Sequence, residues 1–467
     1  LQAYLTALSL ALDIAEAAGA TALIPRTVST IAYQAFMRGQ VDDGFAALER
    51  GWAIARSSRD IPALVWLSGN ESDALLKLGR FQRAAEVASR GFEAARRAGL
   101  ESWTVASFLA INAAEALLAL GRTAEAAALI DPLTSTAPER VYWVVQVTRA
   151  EIDLLRGDAD AAAGRWEQIY ALPAVVSRVD FSYESAPRAV EASLWAGHPD
   201  DALEETRRAL ILFKVPDLTS LAGRLLIAGM RACADLAEQA RARHDGPATA
   251  AAVAAADGLA TWVEQMDGAP FADHPFVATI PAARATWDGE RARLAGLSDP
   301  DAWAGAAKAW QDLRSRHRAA YAWWRQAQAQ LDAGQPAAAA AGTLRAAADA
   351  ADGHAPLLDQ VRALADRVRI PLQPAGPKIA GGPKTPGPPP PEAPDPNAAF
   401  GLTGRELAVL RLLAAGRTNA QIGAELYISP KTAGVHVSNI LRKLGVSGRV
   451  QAAALAERAG LLPAAPP

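Results

Sequence analysis

Up to residue 370 the apolar positions fall three and four apart, the spacing of amphipathic helices, and strand-like alternation is nearly absent. The pattern breaks over residues 371–397, PLQPAGPKIAGGPKTPGPPPPEAPDPN, where apolar side chains are scarce and proline is the commonest residue. Such a stretch buries too little surface to offset its ordering entropy and predicts an extended, semi-rigid spacer. Within the first part a repeat shows through. NESDALLKLGRFQRAAEVASRGFEAARRAGL, from Asn70, and NAAEALLALGRTAEAAALIDPL, from Asn112, share an asparagine, a Leu-x-Leu-Gly-Arg turn and the alanines that follow it. The turn returns in weaker form as FMRGQ at Gly39, LLRGD at Gly157 and LWAGH at Gly197. Gly39, Gly79, Gly121, Gly157 and Gly197 stand 40, 42, 36 and 40 residues apart, the period of stacked helix pairs. Each glycine is expected to be the left-handed residue that ends the first helix of a pair. The repeat is clear over 33–212 and fades towards 371, with one fragment around Gly334. Trp66, Trp103, Trp143 and Tyr183 recur near the start of each pair, either as wedges between helices or as the lining of a concave face.

After the spacer, four more helices can be punctuated. Thr403 and Glu406 form a capping-box pattern before the stripe Leu407, Leu410, Leu413 and Ala414, which stops at Gly416. Thr418 caps a short second helix that starts at Asn419 and turns Ile422 and Leu426 inward, with Gly423 where a neighbouring helix can approach closely. Ser429 as N-cap with Pro430 at the first helical position starts a third, which runs to Leu444 and closes at Gly445 with Val446 placed for the C-cap contact. Ala433, Val437, Ile440 and Leu444 give that helix one buried face. Two short helices joined by a tight turn, the second well capped and basic, are the layout of a helix-turn-helix DNA reader.

Charge sharpens the division. Residues 401–462 hold eight basic side chains against three acidic, a net +5, so the total of −3 leaves −8 on the rest. Only the basic tail suits a polyanion. The single cysteine, Cys233, excludes an intrachain disulfide and fits a reducing, cytoplasmic location as an ordinary packed thiol. No stretch is long and apolar enough to predict a membrane span, so a soluble protein with no membrane partner is expected. The chain opens at Leu1, already within a helical pattern and without a signal sequence, which predicts further natural sequence upstream.

The helix-pair region resembles tetratricopeptide repeats with a longer unit, closer to those of the maltose-regulator-like superhelix. The words LTGRELAVLRLLAAG, TNAQIGAELYISPKTAGVHVSNILRKLGV and RVQAAALA make the tail resemble the C-terminal domain of LuxR-type regulators. The expected fold is all-α: a helical-repeat superhelix over 1–370, a proline-rich linker over 371–399, and a four-helix LuxR-type helix-turn-helix domain over 400–467. The resemblance implies a transcriptional regulator that dimerises through its fourth helix, with Val450, Ala453, Ala454 and Leu455 as contact candidates, and reads an inverted repeat in promoter DNA. It places phosphate contacts on Thr418, Asn419, Lys431 and Thr432, and base reading on Gly434, Val435 and Ser438, with Asn439 added. His436 is either packed or a rim contact to phosphate, and Arg442 either a phosphate ligand or a solvated helix end. Gly434 departs from the pattern, because many relatives carry lysine there. It removes a donor to guanine, and it is either neutral at an exposed position or a closer approach of backbone to DNA.

Large regulators of this kind often carry an ATPase module, but its phosphate loop is not found in this chain. GGPKT at 381–385 lacks the required glycine and lies in the spacer. Six scattered histidines and no paired cysteines give no metal site, cofactor site or catalytic constellation, so an enzyme is not expected. The expected partners are double-stranded promoter DNA, a second copy of the chain, an inducer or partner protein on the repeats, and RNA polymerase. The alternative is a scaffold whose repeats organise other proteins and whose tail only dimerises.

Overall fold

In the computed structural model the described residues are 2–171, 179–211, 213, 219, 221–372, 404–426, 434, 436–437, 440–441, 443–444, 446 and 448–458. The protein is all-α, with no strand among the described residues. The chain divides into two compact units, Leu1–Gly376 and Pro377–Pro467.

The first unit opens with α1 (Gln2–Ala17) and continues as stacked pairs. These are α2 (Ile24–Met37) with α3 (Val41–Ser58), α4 (Ile61–Lys77) with α5 (Phe81–Arg97), and α6 (Thr104–Ala119) with α7 (Thr123–Ile130). A single turn, α8 (Leu133–Thr136), precedes α9 (Glu139–Leu155) with α10 (Ala159–Tyr170), then α11 (Val179–Trp195) with α12 (Pro199–Leu210). All five glycines of the repeat have the expected positive φ, between 64° and 84°. Each is followed by the N–H that closes the helix end: Gln40 to Ala35 O, Arg80 to Leu75 O, Arg122 to Leu117 O, Asp158 to Asp153 O and His198 to Ser193 O, all at 2.8–2.9 Å.

The pairing does not fade after residue 212, where the sequence repeat weakens. It continues as α13 (Gly223–Ala242) with α14 (Gly246–Gln265), α15 (Ile280–Leu294) with α16 (Pro300–Asp312), and α17 (Arg316–Asp332) with α18 (Ala337–Ala350), ending on α19 (Ala355–Arg367). The same closure recurs without glycine. His244 at φ 56° precedes Asp245, whose N–H reaches Ala240 O at 2.9 Å, and Arg314 at φ 56° precedes Ser315, whose N–H reaches Trp310 O at 2.9 Å.

These later helices fold back onto the earlier turns. Ala278 N donates to Lys77 O at 3.0 Å, and Thr123 Oγ1 donates to Gly353 O at 2.9 Å. Pro275 abuts Gly39, Leu313 abuts Gly79, Arg316 abuts Gly121 and Ala355 abuts Gly157. Four of the five glycine turns, all but that of Gly197, thus serve twice, as helix ends and as smooth seats for the second half of the unit. Cys233 lies fully buried in its core, where burial pushes the thiol up to about 12. No helix among the described residues is long and apolar enough to cross a membrane.

The second unit contains α20 (Gly404–Ala414), α21 (Asn419–Leu426) and α22 (Arg449–Arg458). Between the last two, Gly434, His436, Val437, Ile440, Leu441 and Lys443 are helical. One core joins Val409, Leu410, Leu413, Ile422, Val437, Ile440, Leu444, Ala452 and Ala456. Val409, absent from the expected stripe, is fully buried, whereas Ala414 is only half-buried.

Candidate functional site

In the first unit the helices line a partly open cavity of about 300 Å³. Its wall is apolar at Leu118, Leu194, Ile227 and Ile280 and strongly charged elsewhere. Two cations are matched at once. Arg188 pairs with Glu115 and, at 2.8 Å, with Glu151, while Lys77 pairs with Asp73 at 2.5 Å. Arg318 donates to Glu191 Oε1 at 3.1 Å. Burial alone would raise the Glu191 carboxyl, but Arg318, Arg224 and Arg231 outweigh it and hold the group below the usual carboxylate range.

Arg231 is set differently. Its guanidinium lies 4.1 Å from the Trp195 ring centroid and 4.8 Å from that of Tyr321. Behind it, Asp235 gives one oxygen to Arg293 at 2.7 Å and Arg325 at 3.2 Å and stays 3.6 Å from Arg231 Nε. Tyr321 bonds Glu290, and burial pushes its phenol up to about 12. His354 packs on Trp195 at 4.8 Å and on His317 at 5.2 Å between ring centroids. Burial first, then His317 and Arg231, hold the His354 imidazole well below the ordinary histidine range, which makes it neutral near pH 7.

Of the recurring aromatics, none with a described side chain lines this cavity. Trp143 is a core residue, Trp66 is half-buried with Arg26 at 5.8 Å from its ring, and Trp103 packs half-buried against the α4–α6 core. The Tyr183 side chain lies outside the described residues. The cavity's aromatic wall is Phe81, Trp195, Trp310 and Tyr321 instead.

In the second unit the turn into α21 is a complete capping box. Thr418 Oγ1 accepts from Gln421 N at 3.3 Å, and Gln421 Oε1 accepts from Thr418 N at 2.9 Å. Thr418 is exposed at this helix start and Asn419 half-buried beside it, so two expected phosphate contacts sit at a helix N-terminus. Gly416 at φ 76° ends α20 as expected, with Arg417 N reaching Leu412 O at 3.0 Å. Arg449 donates to Arg417 O at 2.9 Å and fastens the fourth helix to the same turn.

Gly434 meets Asn419 here, since a Cβ on it would stand 3.3 Å from Asn419 Nδ2. The glycine therefore lets the third helix pass close to the start of α21, a role that neither sequence reading of Gly434 contained. His436 is half-buried, while Val437, Ile440 and Leu444 form the expected buried face. Val446 N caps Leu441 O at 3.0 Å. Lys431, Thr432, Val435, Ser438, Asn439 and Arg442, with Ser429, Pro430 and the Thr403 cap, lie outside the described residues. On α22, Ala452 and Ala456 face the core, and Ala453 and Leu455 are half-buried. The side chains of Val450 and Ala454 lie outside the described residues.

A short capped helix and a second helix that passes close to its start, over a shared core, fit one class: a helix-turn-helix domain. Residues 401–456 match the family of bacterial regulatory proteins described as luxR. The tail is 56% identical over 57 residues to the transcriptional regulatory protein LiaR of Bacillus subtilis, covering 12% of this chain and 27% of that one. It is 49% identical over 61 residues to a nitrate/nitrite response regulator protein homolog of Haemophilus influenzae, covering 13% and 29%. With the spore germination protein GerE of Bacillus subtilis it is 51% identical over 51 residues, 11% of this chain and 69% of that protein. The chain belongs, through this domain, to the luxR family. It spans little more than a quarter of the length of the first two relatives.

Proposed function

We propose that this chain is a DNA-binding transcriptional regulator of the cytoplasm: residues 400–467 bind promoter DNA as a homodimer through α22, and residues 1–370 sense an inducer or partner. The observation that carries the reading is the helix-turn-helix core with its Thr418–Gln421 box, in a stretch 56% identical to a protein named as a transcriptional regulator. The concave cavity in the repeats supports a sensing role, since buried polar groups in such a site are common in ligand recognition. Thr418, Asn419, Lys431, Thr432, His436 and Arg442 hold the DNA backbone, and Gly434, Val435, Ser438 and Asn439 face the bases. RNA polymerase is the downstream partner.

The test is selection of bound duplexes from a random pool by the full chain. The expected product is an inverted repeat with half-sites about one helical turn, ~10 base pairs, apart. Lys431→Ala should weaken binding to every sequence and lower the slope of log K on log salt by about one, whereas Val435→Ala should change preference at one base position. Salt-dependent binding without any selected sequence, or none at all, would leave the scaffold as the function of the repeats.

A further inference from the structure

Arg224 and, seven residues on, Arg231 stand two turns apart along one face of α13, and both line the cavity. Arg231 is only 9% exposed, yet its Nε makes no hydrogen bond, with the Asp235 carboxylate out of reach at 3.6 Å. The Nε of Arg224 is likewise buried without a hydrogen-bond partner. A buried cationic donor left unbonded is costly, and an incoming acceptor removes that cost. The neighbouring Arg188 and Lys77, by contrast, each lie against carboxylates of their own. Around Glu191 the balance is uneven, with Arg318, Arg224 and Arg231 all acting on this one carboxylate.

We propose that this cavity binds a small organic acid, with its carboxylate on Arg231 and Arg224 and its apolar body against Leu118, Leu194, Ile227 and Ile280. A carboxylate presents two coplanar acceptors to the planar guanidinium fork. Trp195 and Tyr321, whose rings stand at 89° to one another, both pack against the Arg231 guanidinium. One negative charge suits the site better than two, because Glu191 and Asp235 already stand beside these arginines. The apolar part of the wall favours an acid that carries an apolar body, and a volume of about 300 Å³ sits at the small end of ligand pockets. The inference deepens the reading of the repeats as the sensing part and rests on it for its regulatory meaning.

The experiment is calorimetric titration of the full chain with phenylacetate and octanoate, and with phenylacetamide as the uncharged isostere. The acids are expected to bind with Kd below about 1 mM, and the amide about tenfold or more weakly. Arg231→Gln should lose at least about tenfold in acid affinity. Should that core variant fail to fold, Arg224→Gln, on a half-buried residue, should show a loss in the same direction. Equal binding of acid and amide, no binding of either acid, or acid affinity unchanged in a folded variant would overturn the site. Acid binding that leaves promoter affinity unchanged keeps the site and removes the sensing reading. Promoter binding by a chain that takes no acid does the reverse, sparing the DNA-binding reading.

Discussion

Gly79 has φ 64°, and a Cβ there would stand 2.8 Å from Leu313 Cδ2, while Gly99 has φ 69° and open space around it. Alanine at either position meets the left-handed penalty of about 1 kcal/mol, and only at Gly79 does it also push away the returning helix. Gly79→Ala is therefore expected to cost about 2 kcal/mol against about 1 for Gly99→Ala in urea unfolding, and a double-mutant cycle with Leu313→Ala should show the excess vanish. Equal costs would mean that the turn does not seat the second half. A different balance holds at His354, 6% exposed, whose Nδ1 accepts from Leu357 N at 3.3 Å to cap α19. That bond needs an unprotonated Nδ1, and His317 and Arg231 face the same ring. Because the folded imidazole titrates below its unfolded value, its contribution is fully present above a pH of about 6.5 and is lost as pH falls towards the folded value. The melting temperature of the repeat unit should drop between pH about 7 and about 5.5, and His354→Asn, which keeps a capping acceptor but does not titrate, should flatten the slope. An unchanged slope in the variant would place the titration elsewhere.

At the scale of elements, the repeat asparagines turn out to set the stacking. Asn70 on α4 donates to Ser29 on α2, and Asn112 on α6 donates to Ser72 on α4 at 2.9 Å and to Gly69 O at 3.3 Å. Each bond ties the first helix of one pair to that of the pair before. Asn112→Ala leaves Ser72 without this donor and should lower stability by about 1–2 kcal/mol, read as a fall in the urea midpoint at constant m. The equal spacing of Asn70 and Asn112 from their glycines was visible in the chain, but the serine partners were not, because they lie 40 and 41 residues upstream. The first pairs were legible for a simple reason: glycine is the cheapest left-handed residue and marks the turn. The later pairs escaped because His244 and Arg314 close their turns in the same conformation, and because the connection after α14 is long and includes a 3-10 turn at Ala269–Phe271. The DNA-binding tail was readable since its caps and stripe are contiguous. The meaning of Gly434 was not, as it depends on Asn419 across the helix crossing. The cavity was wholly hidden, because Arg188, Arg231 and Arg318 come from α11, α13 and α17 and converge only through the superhelical turn.

For the whole molecule, tryptophan placement allows the two units to be followed separately. All twelve tryptophans precede residue 371, so tryptophan fluorescence reports on the repeat unit alone, while far-UV circular dichroism reports on every helix. A solenoid with only neighbour contacts unfolds gradually, pair by pair. Here Lys77 bonds Ala278 and Thr123 bonds Gly353, contacts that span the unit and link its early pairs to its late ones. The fluorescence transition in urea should therefore be single and steep, and Thr123→Val, which removes one of these long-range bonds, should lower its midpoint. The tail has a separate core, and it should appear as a dichroism change without fluorescence change. Duplex carrying the selected inverted repeat, at about a hundred times its Kd, should stabilise that silent phase by about 2.7 kcal/mol. Whether the fluorescence transition moves as well is the decisive reading. A shift there means that DNA on the tail is coupled to the repeats, and by reciprocity that anything bound in the cavity alters promoter affinity. No shift means that the two units act without regard to one another, and a regulator built on sensing by the repeats would then be excluded.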